Sequence, residues 1–125
     1  MDIKENIKTL IVKKELKLDC GQVINNFPLA YETYGSLNEK KDNAILVCHA
    51  LTGDQFVTGL NPITKKEGWW SYAVGPKKSI DTNKYFVICV NVIGGCMGSF
   101  GPSHINPKTK KVYGIDFPVI TINDI

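Results

Sequence analysis

The sequence predicts an α/β fold in which antiparallel strands come first and parallel strands follow. Residues 9–18 (TLIVKKELKL) and 28–34 (PLAYETY) alternate apolar and polar positions, as strands with one solvent-facing side do. The runs Ala44–Val47 (AILV) and 85–92 (YFVICVNV) are almost wholly apolar, which is typical of parallel strands covered on both faces. We therefore expect an antiparallel pair and then strands of a mostly parallel sheet.

This pattern divides one incomplete domain into two parts, with antiparallel strands in residues 1–42 and the first part of the α/β core in residues 43–125. Residues 51–84 join the two apolar runs without a helical period, and a loop of this length is usually functional. No internal repeat is apparent. Close to Ile125, Thr121 is expected to cap a helix that has Asp124 in its first turn.

Composition argues against two classes of partner but does not choose a function. The net charge is only +3, and the fifteen basic residues lie among acids or in short pairs such as Lys65-Lys66. A nucleic-acid surface would need a denser basic stripe. No apolar segment approaches the roughly 20 residues of a membrane span, and residues 1–6 lack the hydrophobic centre of a signal peptide. We expect a cytoplasmic protein without nucleic-acid or membrane partners.

The cysteines and histidines do not predict a metal site. The four cysteines are widely spaced and form no C-x-x-C pair. Cys48 and Cys89 lie in or beside apolar runs, so we expect them to be small core residues. His49 and His104 would need further ligands from distant segments. For His49 the simpler expectation is a ring that is hydrogen-bonded within its own loop.

The stretch CHALTGD, residues 48–54, directly follows the apolar run Ala44–Val47. Three interpretations are open: a structural loop, a phosphate-binding turn, or a set of backbone donors for an acyl-transfer enzyme. A turn just beyond the carboxyl end of a buried strand lies where α/β sheets bind their ligands. Main-chain amides at such a turn can stabilise an oxyanion, but glycine-containing turns are common in this position.

A second glycine-rich segment follows the later apolar run and does not match a nucleotide-binding motif. Gly95, Gly98 and Gly101 give G-x-x-G-x-x-G instead of G-x-G-x-x-G, and the chain contains no Gly-Lys dipeptide. No serine lies in the G-x-S-x-G motif of a nucleophile elbow. Ser99, for example, has Met97 where the first glycine belongs. We therefore expect no nucleophilic serine in this chain.

Three longer strings resemble the homoserine O-acetyltransferase family of α/β-hydrolase-fold acyltransferases. They are CHALTG, GWWSYAVGPKKSIDTNKYFVICVNVIGGCMGSFGPSHINP and YGIDFPVITINDI, and LAYETYGSLN precedes them. The similarity covers about residues 29–125. It implies the amino-terminal part of an α/β-hydrolase fold with an incomplete sheet, truncated before the nucleophile elbow. The buried strand in residues 85–92 is then expected to lack a neighbour.

The resemblance implies an activity for an intact relative. Such an enzyme takes an acetyl group from acetyl-CoA onto a serine and passes it to the hydroxyl of L-homoserine, a step of methionine synthesis. The Ser/Asp/His triad is implied to lie downstream, so residues 1–125 alone are expected to be inactive. Transfer from succinyl-CoA, or onto L-serine, is an alternative within this fold. A non-catalytic interaction fragment and a simple hydrolase are alternatives of other classes.

The resemblance also assigns candidate site residues. It makes the backbone N–H of Leu51 the first oxyanion donor, and it gives supporting roles to residues of two loops: His49, Thr52, Gly53, Asn91, Gly94 and Gly95. It implies no bound cofactor and no metal, with acetyl-CoA acting as a co-substrate. The intact enzyme is expected to bind small-molecule substrates and to form a homodimer.

Overall fold

A computed structural model describes residues 7–125. Residues 1–6, on which the expectation about a signal peptide rests, lie outside this range. The described residues form eight strands: β1 Lys8–Val12, β2 Leu16–Lys17, β3 Val23–Ile24, β4 Phe27–Tyr34, β5 Ala44–Val47, β6 Val74–Gly75, β7 Ile80–Asp81 and β8 Phe86–Val90. They also contain two 3₁₀ turns, Gly114–Asp116 and Ile122–Asp124, and no α-helix.

The main sheet has the strand order β1-β4-β8-β5. β4 and β8 pair antiparallel, with Tyr31 opposite Val90, whereas β5 and β8 pair parallel, with Val47 opposite Cys89. The predicted α/β class, with antiparallel strands before parallel ones, is confirmed. The expectation that the strand in residues 85–92 lacks a neighbour is wrong, because β4 and β5 flank β8 on both sides. Within residues 7–125 the two edge strands of this sheet are β1 and β5.

The amino-terminal strands differ from the prediction. Residues 9–18 were expected to form one strand, but β1 and β2 are separate, and the exposed charged residues Lys13, Lys14 and Glu15 lie between them. β2 pairs antiparallel with β3, and β1 lies beside β4. Three consecutive charged side chains interrupt the apolar alternation, so the chain turns away from the sheet after Val12 and makes its own hairpin.

The prediction that the parallel strand β5 is covered on both faces is wrong. Val47 is buried, but Leu46 is 65% exposed. No helix occurs among the described residues to cover that second face. The same reason explains why Cys48 is exposed instead of lying in the core, whereas Cys89 on the central strand is fully buried, as expected.

The described residues form two compact units, each with its own apolar core. The first unit contains Tyr31–Val90, and its apolar core cluster consists of Val47, Val57, Val74, Val87 and Cys89. The second contains Thr9–Ala30 with Asn91–Ile125 and buries Phe27, Ile93 and Phe100. The predicted division at residues 42 and 43 stays a prediction.

The expected cap near Ile125 is present. The Asp124 carboxylate accepts the Thr121 backbone N–H at 2.8 Å, as in a capping box, and the Thr121 hydroxyl lies 3.2 Å from the same oxygen. The same carboxylate accepts the Asp19 N–H at 2.9 Å through its other oxygen. Thr121 therefore begins a helical turn, as the sequence predicts, and the turn is tied to the segment after β2.

Two hairpin tips share the six-residue motif N-P-x-T-K-K, at residues 61–66 and 106–111. In each, the side-chain oxygen of the Asn accepts the N–H two residues later at 2.9 Å. The N–H of the fifth residue donates to the Asn carbonyl, at 2.9 Å for Lys65 and 2.8 Å for Lys110. Both of these lysines have φ of +59°. The expectation of no internal repeat is therefore wrong, although the repeated letters were visible.

Candidate functional site

The predicted donor residues lie on a tight turn two residues beyond the end of β5. The Gly53 N–H donates to the Ala50 carbonyl at 2.7 Å, which closes a four-residue turn with Leu51 and Thr52 at its centre. A Cβ added to Gly53 would lie 3.1 Å from the Ala50 oxygen and 3.2 Å from the His49 Cβ. A side chain at the last position of the turn would therefore crowd these two atoms.

His49 supports this turn from the side of the strand. Its ring is buried, at 8% exposure, and Nδ1 lies 2.6 Å from the Ala50 carbonyl oxygen. A carbonyl only accepts hydrogen bonds, so this contact requires the tautomer that carries the proton on Nδ1. The imidazole therefore fixes the same carbonyl that closes the turn.

The backbone amides at the centre of the turn are those of Leu51 and Thr52. Within residues 7–125, neither the Leu51 N–H nor the Thr52 N–H donates a hydrogen bond. The Leu51 residue is 73% exposed. An unengaged N–H on a fixed turn can donate to a developing oxyanion without first breaking a protein hydrogen bond. Chemically, the turn can supply main-chain donors.

Asp54, which the sequence did not single out, holds the far side of the turn. Its Oδ1 accepts the Phe56 N–H at 2.8 Å, and its Oδ2 accepts Nδ2 of Asn61 at 3.2 Å. Its carbonyl accepts the Trp69 indole N–H at 2.9 Å and the Cys89 thiol at 3.8 Å. One residue thus joins the turn to three other segments of the same unit.

Tyr34 was also missed, because its partners are distant in the sequence. Its hydroxyl accepts the Val57 N–H at 2.9 Å and donates to the Gln55 carbonyl at 3.2 Å. Burial raises the pKa of the Tyr34 phenol to about 12, against the lowering effect of its backbone hydrogen bonds. The phenol fixes the segment that continues from Asp54 into the core.

The second predicted loop, residues 91–102, is organised around Asn91. This residue is 1% exposed, its N–H donates to the Ala30 carbonyl at 2.8 Å, and its Oδ1 accepts the Met97 N–H at 3.2 Å. Gly94 adopts φ of +84°, and a Cβ on Gly95 would lie 2.8 Å from Asn91 Oδ1. Asn91, Gly94 and Gly95 are therefore brought together in one folded loop.

Ser99 is part of the packing of this loop. The residue is 1% exposed. Its hydroxyl donates to the Asn91 carbonyl and accepts the Ala30 N–H, the latter at 2.9 Å. Both hydrogen-bonding functions of the hydroxyl are therefore used inside the second unit. The Ser99 hydroxyl proton is thus donated to a backbone carbonyl and not to a side-chain base.

Neither a metal-binding cluster nor a membrane-spanning helix occurs in the part of the chain that the structure describes. Across residues 7–125, no group of three or more His, Cys, Asp or Glu side chains could hold a metal ion. Within the same range, no helix has the length and apolar character needed to cross a bilayer.

Comparison with known proteins gives close relatives. No protein-family model matches the chain. A homoserine O-acetyltransferase of Pelagibacter ubique (strain HTCC1062) is 77% identical over 125 residues, which is 100% of this chain and 34% of that protein. One from Methanobrevibacter ruminantium is 57% identical over 118 residues, covering 94% of this chain and 24% of that protein. The chain therefore spans about a third or less of the length of these relatives.

Solved structures give the same fold. The crystal structure of homoserine O-acetyltransferase from Bacillus anthracis aligns with a TM-score of 0.83 at 37% identity, over 95% of this chain and 33% of that chain. Esterase E22 aligns with a TM-score of 0.81 at 32% identity, over 95% of this chain and 34% of that chain. The described strands are those of an α/β-hydrolase fold.

Proposed function

Because this chain belongs to the homoserine O-acetyltransferase family and matches the amino-terminal third of its members, we propose that the protein containing it is an acyltransferase. It transfers the acetyl group of acetyl-CoA to the hydroxyl of L-homoserine, in methionine biosynthesis. The observation that carries this proposal is the 77% identity over all 125 residues to a homoserine O-acetyltransferase.

In this proposal the turn after β5 supplies part of the transition-state stabilisation. The Leu51 N–H donates to the oxyanion that forms when a nucleophile attacks the thioester carbonyl. Removing one such donor costs about 3 kcal/mol of barrier in comparable enzymes. His49, Thr52 and Gly53 keep the turn in shape, and the loop of Asn91, Gly94 and Gly95 has a supporting role.

The remaining catalytic groups come from outside this chain. The sequence holds no serine in a G-x-S-x-G motif. The family resemblance implies a Ser/Asp/His triad downstream of the matched part. A second oxyanion donor follows the nucleophile in this fold. Residues 1–125 therefore supply one donor turn and no proton-transfer chemistry.

Ester hydrolysis is the second candidate, and the likeness to esterase E22 favours it. A hydrolase and an acyltransferase of one fold share the triad and the oxyanion donors, and they differ in the acceptor of the acyl group. The acceptor pocket is expected to come from downstream sequence. The same holds for the choice between acetyl-CoA and succinyl-CoA, and between L-homoserine and L-serine.

The test uses the complete gene product that contains residues 1–125. Purified protein is incubated with acetyl-CoA in the presence and absence of L-homoserine, and free CoA and O-acetylhomoserine are measured by mass spectrometry. CoA release that depends on L-homoserine and matches ester formation supports the proposal. Acetate release that does not depend on L-homoserine supports the hydrolase. Parallel reactions with succinyl-CoA and with L-serine define donor and acceptor.

The proposal also covers the partners, the oligomeric state and the cellular location of the protein. Its partners are small-molecule substrates, with acetyl-CoA as co-substrate and no resident cofactor, and the enzyme acts in the cytoplasm as a homodimer. Neither nucleic acid nor membrane takes part. Light scattering of the complete protein tests the dimer, and cell fractionation tests the location.

A further inference from the structure

We propose that Asp54 is a positioning residue for the oxyanion turn and that it acts through its hydrogen bond with Asn61. This inference rests on the proposed function, because it takes the Leu51 N–H as the donor to be positioned. Asp54 follows that donor by three residues, directly after the glycine that closes the turn.

The two ends of the turn are held by different means. On the side of β5, the strand pairing of Val47 and the ring of His49 fix the backbone. On the other side the chain leaves the sheet, so its direction depends on side-chain contacts. Asp54 supplies these contacts, since both of its carboxylate oxygens accept hydrogen bonds within its own unit.

The contact with Phe56 is local, but the contact with Asn61 is an anchor to another segment. Asn61 is 5% exposed, and its Oδ1 accepts the N–H groups of Ile63 and Thr64 at 2.9 and 3.1 Å. Its own N–H donates to the Lys66 carbonyl at 2.8 Å. These bonds fix the Asn61 side chain, and its amide donor therefore reaches Asp54 with little freedom.

A fixed donor matters because catalysis depends on small displacements. A shift of about 1 Å in a group that stabilises a transition state can reduce the rate about a hundredfold. Without the Asp54–Asn61 contact, the turn loses its anchor to the hairpin of residues 60–67. The Leu51 N–H then samples directions that do not meet the oxyanion. We expect substrate binding to change less than turnover.

The repeated hairpin offers a matched control. Asn106 makes two of these bonds in its own tip, since it accepts the Lys108 N–H at 2.9 Å and donates to the Lys111 carbonyl at 2.8 Å. Its Nδ2 has no acceptor among residues 7–125. Asn→Asp at either tip keeps the acceptor oxygen that the turn needs. Only Asn61→Asp also places a second carboxylate next to that of Asp54.

The experiment measures kcat and KM of the complete gene product with Asp54→Asn, Asn61→Asp, the double variant and Asn106→Asp. Each single change at residues 54 and 61 is expected to lower kcat about tenfold or more while KM changes less than threefold. The double variant restores a donor opposite an acceptor, and is expected to recover most of the lost kcat. Asn106→Asp is expected to match the wild type.

Each outcome decides the proposal. Failure of the double variant to recover activity, or equal losses in Asn61→Asp and Asn106→Asp, would overturn it. A fall in thermal stability with unchanged kcat would also overturn it, because the role would then be structural only. If the wild type hydrolyses p-nitrophenyl acetate but forms no O-acetylhomoserine, the proposed function fails, and the four variants still test the inference by their hydrolysis rates.

Discussion

The hydroxyl of Tyr34 on β4 accepts the backbone N–H of Val57 at 2.9 Å, across 23 residues of sequence. It also donates to the Gln55 carbonyl, so a single phenol fixes the segment that continues from Asp54 into the core. Tyr34→Phe removes both contacts and keeps the ring. We expect it to lower the free energy of unfolding by about 1 kcal/mol, measured by denaturant titration at pH 7.

The same phenol gives a pH dependence with a defined sign. Burial raises the pKa of Tyr34 from 10.0 to about 12, so the folded protein holds this proton more tightly than the unfolded chain. The resulting stabilisation is fully present below pH 10 and is lost as the pH rises toward 12. The gap in melting temperature between wild type and Tyr34→Phe should therefore shrink from pH 9 to pH 11.5. A constant gap would contradict this.

The proposed main-chain role of Leu51 predicts a contrast between two substitutions. Leu51→Pro removes the N–H and should lower kcat of the complete protein about a hundredfold. Leu51→Ala keeps the N–H and trims a side chain that is 73% exposed, so it should have less than a threefold effect. Steady-state kinetics with acetyl-CoA and L-homoserine check both. Equal losses in the two variants would rule out a backbone donor at this position.

The left-handed lysines of the two hairpin tips predict a stabilising substitution. Lys110 has φ of +59°, a conformation that costs a side-chain-bearing residue about 1 kcal/mol and costs glycine almost nothing. Lys110→Gly should therefore raise the free energy of unfolding by about 0.5 kcal/mol, after the greater chain entropy of unfolded glycine is subtracted. Chemical denaturation measures the change.

Lys108 in the same tip is the control for this change. It is absent from the residues with positive φ, so Lys108→Gly gains no relief of strain and should lower stability by a similar amount. If both glycine substitutions change stability in the same direction, the backbone strain at Lys110 is not the cause.

The cysteines should differ in reactivity. Burial raises the pKa of the Cys89 thiol to about 11, and the side chain is fully buried, so almost no accessible thiolate exists at pH 8. Cys20, Cys48 and Cys96 are exposed in the structure of this chain. Iodoacetamide at pH 8 should leave Cys89 unmodified in the folded protein and modify it after unfolding in urea. Peptide mass spectrometry identifies the labelled residues.

Much of the fold could be predicted because strand type depends on local pattern. The apolar runs at Ala44–Val47 and residues 85–92 predicted parallel neighbours, and Thr121 with Asp124 predicted a cap. The exposure of Leu46 could not be predicted, because an apolar run shows only that a strand can be covered. The place of β8 between β4 and β5 depends on pairing across distant sequence, which no local pattern reports.

The candidate site, like the fold, could be predicted only in part. CHALTGD indicated a functional turn because it follows a strand, and Asp54 is its last letter. The partner of Asp54 could not be predicted from that stretch alone. The signal for Asn61 was the repeat N-P-x-T-K-K, in which an asparagine precedes a tight tip twice. Nothing in the sequence marked Tyr34 as a structural anchor, because a tyrosine is an ordinary residue in an alternating strand.

The unpaired edge of β5, next to exposed Leu46, has a consequence for synthesis on the ribosome. This chain matches only about a third of its relatives' length, and translation at about 5 to 20 residues per second needs on the order of tens of seconds for the rest. During that interval the strand edge can template pairing with another nascent chain. We therefore expect ribosome-associated chaperones to engage this segment early, and their loss to lower the yield of folded protein.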